Sequence, residues 1–307
     1  MINRAIAGVL PVVPRPVVRR ISSRYIAGAE LEDASYTVRA LNARGKLATV
    51  DVLGEEITNV EETDTIAAAY EEVLAEIDRR HLDSNISVKP TALGLGLDLE
   101  LCKRHFQQLV HRARVRDNFV RIDMEDATTT DSTLAMYRDL RADGYDAVGV
   151  VLQASLKRTI SDIGDLADLR PNVRLCKGIY VESSEIQFRD YHAVQNGFVA
   201  ALEALFDTGC HVGIATHDRW LIEQAKRIVA KRGLDRDAYE FQMLLGVRPG
   251  LGDTLVEEGH RLRIYVPFGS HWYQYSLRRL QENPSIAGYI ASDTFGRVLR
   301  PGRNGSL

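Results

Sequence analysis

Val173-Arg174-Leu175-Cys176-Lys177-Gly178-Ile179-Tyr180 starts as an apolar, β-branched run and ends on a cation and a glycine. A short run of that kind reads as a buried strand whose tip carries polar groups. The same design recurs upstream in Gly149-Val150-Val151-Leu152-Gln153 and downstream in Gly213-Ile214-Ala215-Thr216-His217. Extended outward, the series of strand-like runs is Ala48 to Leu53, Ile86 to Leu93, Phe119 to Met124, Val148 to Gln153, Val173 to Tyr180, His211 to His217, Tyr239 to Leu244 and Leu262 to Phe268. Helix-like stretches lie between them: Asp64 to His81, Leu99 to Arg114, Asp131 to Asp143, Asp190 to Leu205, Asp218 to Lys231 and Ser270 to Glu282. Several begin with Asp or Ser, which cap the free amides of a helix start. Strand then helix, repeated, implies an α/β fold of parallel strands joined by crossover helices. A closed (β/α)8 barrel of the TIM type is its simplest form, and an open doubly wound sheet is the alternative. Gly94-Leu95-Gly96 lacks the third glycine of a dinucleotide fingerprint, so no Rossmann subdomain is expected.

In a barrel, functional side chains gather at the carboxyl ends of the strands. Lys89, Asp123, Glu125, Gln153, Arg174, Lys177, Thr216, His217 and Gln242 stand at or near such ends. Polar groups there are costly unless they converge on a ligand or on each other. Three readings of Lys89 stay open: a Schiff-base amine, a partner for a carboxylate, or a barrel lysine paired with Asp123. Asp123 is expected to face inward and Glu125 away from it, which excludes a glycosidase-like carboxylate pair. Arg174 and Lys177, at odd spacing, point to opposite faces unless the strand ends between them. With Gly178 beside them they suit a phosphate-bearing cofactor. His217 either contacts a cofactor or fills a loop, and without a second histidine at ligand spacing no metal is expected.

Behind the last strand, Arg263-Ile264-Tyr265-Val266-Pro267-Phe268-Gly269, comes Tyr275-Ser276-Leu277-Arg278-Arg279-Leu280-Gln281-Glu282-Asn283. On a helix Tyr275, Arg278, Arg279 and Glu282 share one face. Burying two adjacent guanidiniums demands a counter-charge, which Glu282 and a small carboxylate ligand would supply. Tyr265, Tyr275 and Trp272 offer apolar walls for such a clamp. The plainer reading is a solvated charged face. Glu55, after the first strand, either pairs with Arg278 or begins a helix.

The 307 residues suit a single large barrel, and the apolar content of 45% is ample for its core. A net charge of -3 argues against a nucleic-acid partner. Cys102, Cys176 and Cys210 form no CxxC, so neither a disulfide framework nor a zinc site is expected, and a reducing cytoplasm fits. No apolar run reaches spanning length. Arg4, Arg15, Arg19, Arg20 and Arg24 precede the first acidic residue, Glu30. This arm either packs on the domain or lies on a membrane surface. The expected division is a helical arm over 1–45, a barrel over 46–284 and a tail over 285–307.

The ordered set S-V-K-P-T-A-L-G-L, V-R-I-D-M-E, V-V-L-Q-A, R-L-C-K-G-I-Y, A-T-H-D, E-F-Q-M-L, R-I-Y-V-P-F-G and Y-x-x-R-R-L-x-E-N resembles the FAD-dependent proline dehydrogenases in their short, single-function bacterial form. The resemblance runs from Gly45 to Pro284, and eight motifs in order make it specific. It implies a distorted barrel holding FAD at the strand tips. It also implies that Arg278 and Arg279, helped by Lys89, take the carboxylate of L-proline. Tyr265, Tyr275 and Leu244 would then wall the ring, and Asp123 would orient Tyr265 or the amine end. Gln153, Arg174, Lys177, Thr216, His217 and Glu282 would hold FAD, with Val151, Gly178 and Tyr180 near it. Reoxidation by a membrane quinone is implied too, which gives the basic arm a peripheral role on the inner face of the cell membrane. The length leaves no room for the fused aldehyde dehydrogenase of bifunctional relatives, so the product would pass to a separate pyrroline-carboxylate dehydrogenase. Two positions depart from the family's habit: Ser155 stands where many members have tyrosine, and Ile179 where many have alanine. The competing classes are an aldolase-like barrel using Lys89 or Lys177 as a Schiff-base amine, and a binder of proline or flavin without turnover.

Overall fold

The computed structural model describes residue 22 and residues 24–54, 57–273 and 275–276. Among these, strands β1 (Leu47–Val52), β2 (Ser84–Val88), β3 (Val120–Ile122), β4 (Val148–Gln153), β5 (Asn172–Cys176), β6 (His211–Ala215), β7 (Tyr239–Leu244) and β8 (Leu262–Phe268) alternate with helices. Each strand pairs in parallel with the next. β1 closes on β8 with Ala48 opposite Ile264 and Val50 opposite Val266, so the sheet is a closed barrel in sequence order. An open sheet is thereby excluded. Helix α1 (Leu31–Asn42) lies against β1 and β8. The crossover helices are α2 (Val60–Arg79), α3 (Leu99–Val115), α4 (Thr130–Ala142), α5 (Thr159–Leu166), α6 (Tyr191–Asp207), α7 (Arg219–Arg232) and α8 (Pro249–Glu257).

Local chemistry explains where the element boundaries differ from expectation. β2 stops at Val88 because Pro90 opens a short 3-10 turn, Thr91–Leu93, which Gly94 closes. β5 stops at Cys176 because Gly178 adopts φ +96°, a conformation no strand uses. α2 begins at Val60, capped by Asn59 accepting from Glu62 N at 2.9 Å, rather than at Asp64. Asp98, Asp190 and Asp218 cap α3, α6 and α7 in the same way. Helix α5 was not expected, being too short for its period to show. Nor was α8, where Gly250 and Gly252 weaken the helical signal after Pro249.

The strands bury Val50, Ile86, Ile122, Val150, Leu175, Ile214, Phe241 and Ile264 outward, under helix residues that include Tyr70, Phe106, Tyr137 and Phe198. Each such side chain contributes about 1.5–3 kcal/mol. Inside the barrel, where bulky apolar layers are usual, the alternate positions are polar. Arg263 donates to both carboxylate oxygens of Glu240 (2.6 and 3.0 Å) and to Ala48 O (2.7 Å). Burial would raise the carboxyl of Glu240, but Arg263 outweighs it and holds the group at about 2. Arg121 donates to Val150 O (2.9 Å), Asn172 O (2.5 Å) and Asn172 Oδ1. A Cβ at Gly149 would lie 2.5 Å from its Nη1, so that glycine makes the guanidinium's seat. Burial, with Arg174 adding, pulls Arg121 down to about 9. The barrel floor thus carries paired charges beneath the strand tips.

Candidate active site

Above that floor a cavity of about 270 Å³ opens at the carboxyl ends of the strands. Lys89, Asp123, Val151, Gln153, Arg174, Lys177, Gly178, Tyr180, His217, Leu244 and Tyr265 all line it, with Thr49, Cys176, Ile179, Gln242 and Arg263 among their neighbours. Eleven expected site residues therefore converge. Thr216 and Tyr275 are not among the described lining residues. Thr216 is buried and its hydroxyl accepts from Asp218 N at 3.1 Å. Tyr275 is buried in a small cluster with Tyr25, Ile26 and Leu53, against which Leu244 and Trp272 pack. Arg278, Arg279, Glu282 and Glu55 lie outside the described residues.

On one side of the cavity the polar groups are ordered by one another. Lys89 Nζ donates to Asp51 Oδ2 (2.8 Å) and lies 3.4 Å from the Tyr265 hydroxyl. Its described partner is therefore Asp51 and not Asp123, which corrects the barrel-lysine reading. Asp123 instead accepts from Arg174 Nη1 and Ser87 Oγ at Oδ1, both at 2.6 Å, and from Tyr265 OH at Oδ2 (3.1 Å). Burial would raise the Asp123 carboxyl, but Arg174, Lys89, Ser87 and Tyr265 together hold it below the ordinary value, so it stays an anion. Burial and the nearby carboxylates of Asp123 and Asp51 push the Tyr265 phenol well above its usual range, so it stays a neutral donor. Arg174 also donates to Gln242 Oε1 (2.6 Å) and stacks 5.5 Å from the Tyr265 ring. Glu125 does not face away as expected. It lines the cavity too: β3 ends at Ile122, so strand alternation does not set its direction, and its carboxylate accepts from Thr91 N (2.9 Å) and Thr91 Oγ1 (2.6 Å).

The other side carries Lys177, Gly178 and His217. β5 ends between Arg174 and Lys177, so both reach the cavity despite their odd spacing. Lys177 Nζ is 3.4 Å from Asp218 Oδ2 and 5.4 Å from the Tyr191 ring centroid, its side chain 35% exposed at the mouth. Leu244 N donates to His217 Nε2 at 2.9 Å, which places the ring proton on Nδ1. Burial, with Arg248 and Lys177 adding, lowers His217 to about 4, so the imidazole is neutral across the physiological range. Gln153 donates to Glu125 O at 2.7 Å and ties β4 to the end of β3.

Sequence reasoning missed Asp51, Tyr70 and Ser87, which order this site from below. Asp51 is fully buried and accepts from Tyr70 OH at 3.0 Å. The alternation Thr49-Val50-Asp51-Val52 carried the signal, a carboxylate on the inward period of an apolar strand.

A family profile described as proline dehydrogenase matches residues 34–292. "Proline dehydrogenase 1" of Bacillus subtilis subsp. natto is 37% identical over 267 residues, which are 87% of this chain and 88% of that protein. "Proline dehydrogenase" of Deinococcus radiodurans is 34% identical over 297 residues, 92% of this chain and 95% of that one. In fold, the chain is similar to proline utilization A from Bdellovibrio bacteriovorus inactivated by N-propargylglycine. That likeness has a TM-score of 0.81 at 20% identity, over 91% of this chain and 36% of the other.

Proposed function

The chain belongs to the proline dehydrogenase family and is an enzyme of that class, and we propose that it oxidises L-proline to 1-pyrroline-5-carboxylate with FAD as hydride acceptor and a membrane quinone as final acceptor. The observation that carries the reading is one cavity where a paired lysine, a buried arginine, an anionic aspartate and a neutral tyrosine meet at the strand tips. The aldolase alternative needs a neutral nucleophilic lysine. Lys89 is instead committed to a 2.8 Å ion pair with the fully buried carboxylate of Asp51.

The donor set fits a flavin dinucleotide. Lys177 at the mouth offers a cation for a phosphate, His217 Nδ1–H offers a donor, and Gly178 brings its backbone to the cavity wall. Gln153, Val151, Arg174, Tyr180, Thr216 and Glu282 complete the set that the motifs assign to it. When bound, the flavin supplies the two-electron acceptor for the hydride.

The chain's own residues do the rest. The motifs assign the carboxylate to Arg278 and Arg279 with help from Lys89, while Tyr265 and Leu244 would wall the ring beside the cluster that holds Tyr275. Asp123 fixes the Tyr265 hydroxyl, so the ring meets a wall of constant position. The lining groups are poor bases: Asp123 is held as a weakly basic anion, Glu125 is turned to Thr91, and His217 Nε2 is committed to the Leu244 amide. With no ready base among these described groups, the amine would give its proton to water. The basic stretch of the arm, Arg4 to Arg24, would hold the protein against the inner face of the cell membrane, where a quinone is met, while Leu31–Asn42 packs on the barrel. Among the described residues no helix is long and apolar enough to cross a membrane. Hand-off of the product to a pyrroline-carboxylate dehydrogenase completes the proposal.

The test is to purify the protein with its chromophore, release and identify that chromophore, and follow turnover of L-proline with a soluble quinone. FAD and quinone-dependent turnover are expected. A colourless protein, or oxidation of L-proline without quinone dependence, would overturn the corresponding part.

A further inference from the structure

The loop from Lys177 to Asp190 begins on the cavity wall with Lys177 to Tyr180, and it is sewn to the segment that follows β4. Ser155 N donates to Lys177 O at 2.8 Å, Lys157 N to Ile186 O at 2.9 Å and Phe188 N to Ser155 O at 2.8 Å. Inside that seam lies Gln187, only 8% exposed. Its Nε2 donates to Tyr180 O (2.7 Å) and to Ser155 Oγ (3.1 Å), and its Oε1 accepts from Glu182 N (2.9 Å). Both ends of the amide are thus used on the loop itself and on one serine.

That serine also meets Gly178. With φ +96°, a Cβ at Gly178 would lie 2.4 Å from Ser155 Oγ, so the backbone there rests directly on the hydroxyl. Ile179 is bracketed: the residue before it is seated on Ser155, and the carbonyl after it is held by Gln187. Ile179 lines the cavity, whereas neither Ser155 nor Gln187 is among its lining residues.

We propose that Gln187 and Ser155 are a positioning pair that fixes Ile179 as the wall against the substrate's ring, and thereby sets the ring size the enzyme accepts. The inference rests on reading the cavity as the proline site. One methylene in an apolar pocket is worth about 10- to 200-fold in discrimination, but only where the wall does not yield. A branched side chain on a loop makes such a wall when its backbone is pinned on both sides.

The test compares kcat/KM of the holoenzyme for L-proline and for its six-membered homologue, L-piperidine-2-carboxylate. Ile179→Ala is expected to lower the proline preference about tenfold. Gln187→Leu should lower it in the same direction, by about three- to tenfold, and should change it no further when made in the Ile179→Ala background. A Gln187→Leu enzyme that loses kcat/KM equally for both substrates would show a structural role only and overturn the proposal. Where that variant fails to hold its flavin, Ser155→Ala is read instead: a preference lowered by about twofold supports the pair, and an unchanged one overturns it. A wild-type holoprotein inert toward L-proline overturns the functional reading beneath the pair, whereas an active wild type with an unmoved ratio in the variants overturns the pair alone.

Discussion

Lys89 Nζ sits 2.8 Å from Asp51 Oδ2, and the same carboxylate accepts the Tyr70 hydroxyl from helix α2 at 3.0 Å. The cation at the cavity wall is thereby tied through the barrel to a helix outside it. Both members are buried, Asp51 completely. Removing one member of a buried pair costs about 3–5 kcal/mol, because the other keeps its charge without that partner. Asp51→Asn is therefore expected to lower the unfolding free energy in urea by about that amount. Combining Asp51→Leu with Lys89→Met should cost clearly less than the sum of the two single changes. Additive costs would contradict the pairing.

Asp123 and Tyr265 give a prediction about kinetics rather than stability. The Tyr265 hydroxyl donates to an anionic carboxylate, which keeps the ring's face toward the cavity. Hydrogen bonds to charged groups are worth about 1.5–3 kcal/mol. Asp123→Asn is expected to lower kcat/KM for L-proline by about 10- to 150-fold, at 1.36 kcal/mol per decade. An unchanged steady-state constant would show that Tyr265 needs no anchor.

The neutral state of His217 predicts a pH dependence of stability. Its folded value lies near 4 and its ordinary value near 6.5. Between those limits the unfolded chain binds a proton that the fold excludes, so this contribution is complete above 6.5 and is lost as pH falls toward 4. The slope from this one group is about 1.4 kcal/mol per pH unit. In His217→Gln, with cofactor saturating both proteins, the fall in unfolding free energy from pH 6.5 to 4 should be shallower by about one proton. Parallel curves would show that His217 is already protonated in the fold.

Arg278 and Arg279 of the Y-x-x-R-R-L-x-E-N motif carry the proposed carboxylate clamp. Arg278→Met and Arg279→Met are each expected to raise the KM for L-proline by about tenfold or more while the flavin stays bound. Wild-type KM in both variants, measured with equal flavin content, would count against the clamp.

How much was legible in the sequence follows from what each segment had to satisfy. The expected bounds of β4, β7 and β8 are the observed ones, since each is one uninterrupted β-prone run. β2 and β5 were drawn too long because Thr91–Leu93 and Ile179-Tyr180 are also apolar or aromatic; only Pro90 and the positive φ of Gly178 separate them from the strands. The inward cations and amides could be read from period alone, since a charged residue alternating with valine must face a partner or a ligand. Their pairing could not. Which carboxylate meets Lys89 depends on the barrel's closure between β1 and β8 and on how deep each side chain sits, and spacing along the chain records neither. The same limit hid Gln187, whose role exists only because its loop folds back onto Ser155.

The most direct measurement of the central claim is an anaerobic titration of the purified holoprotein with L-proline, followed by visible absorption. Loss of the oxidised flavin bands, with 1-pyrroline-5-carboxylate formed in equal amount to the flavin reduced, is the predicted result. Flavin bands that stay unchanged at saturating L-proline would contradict the account.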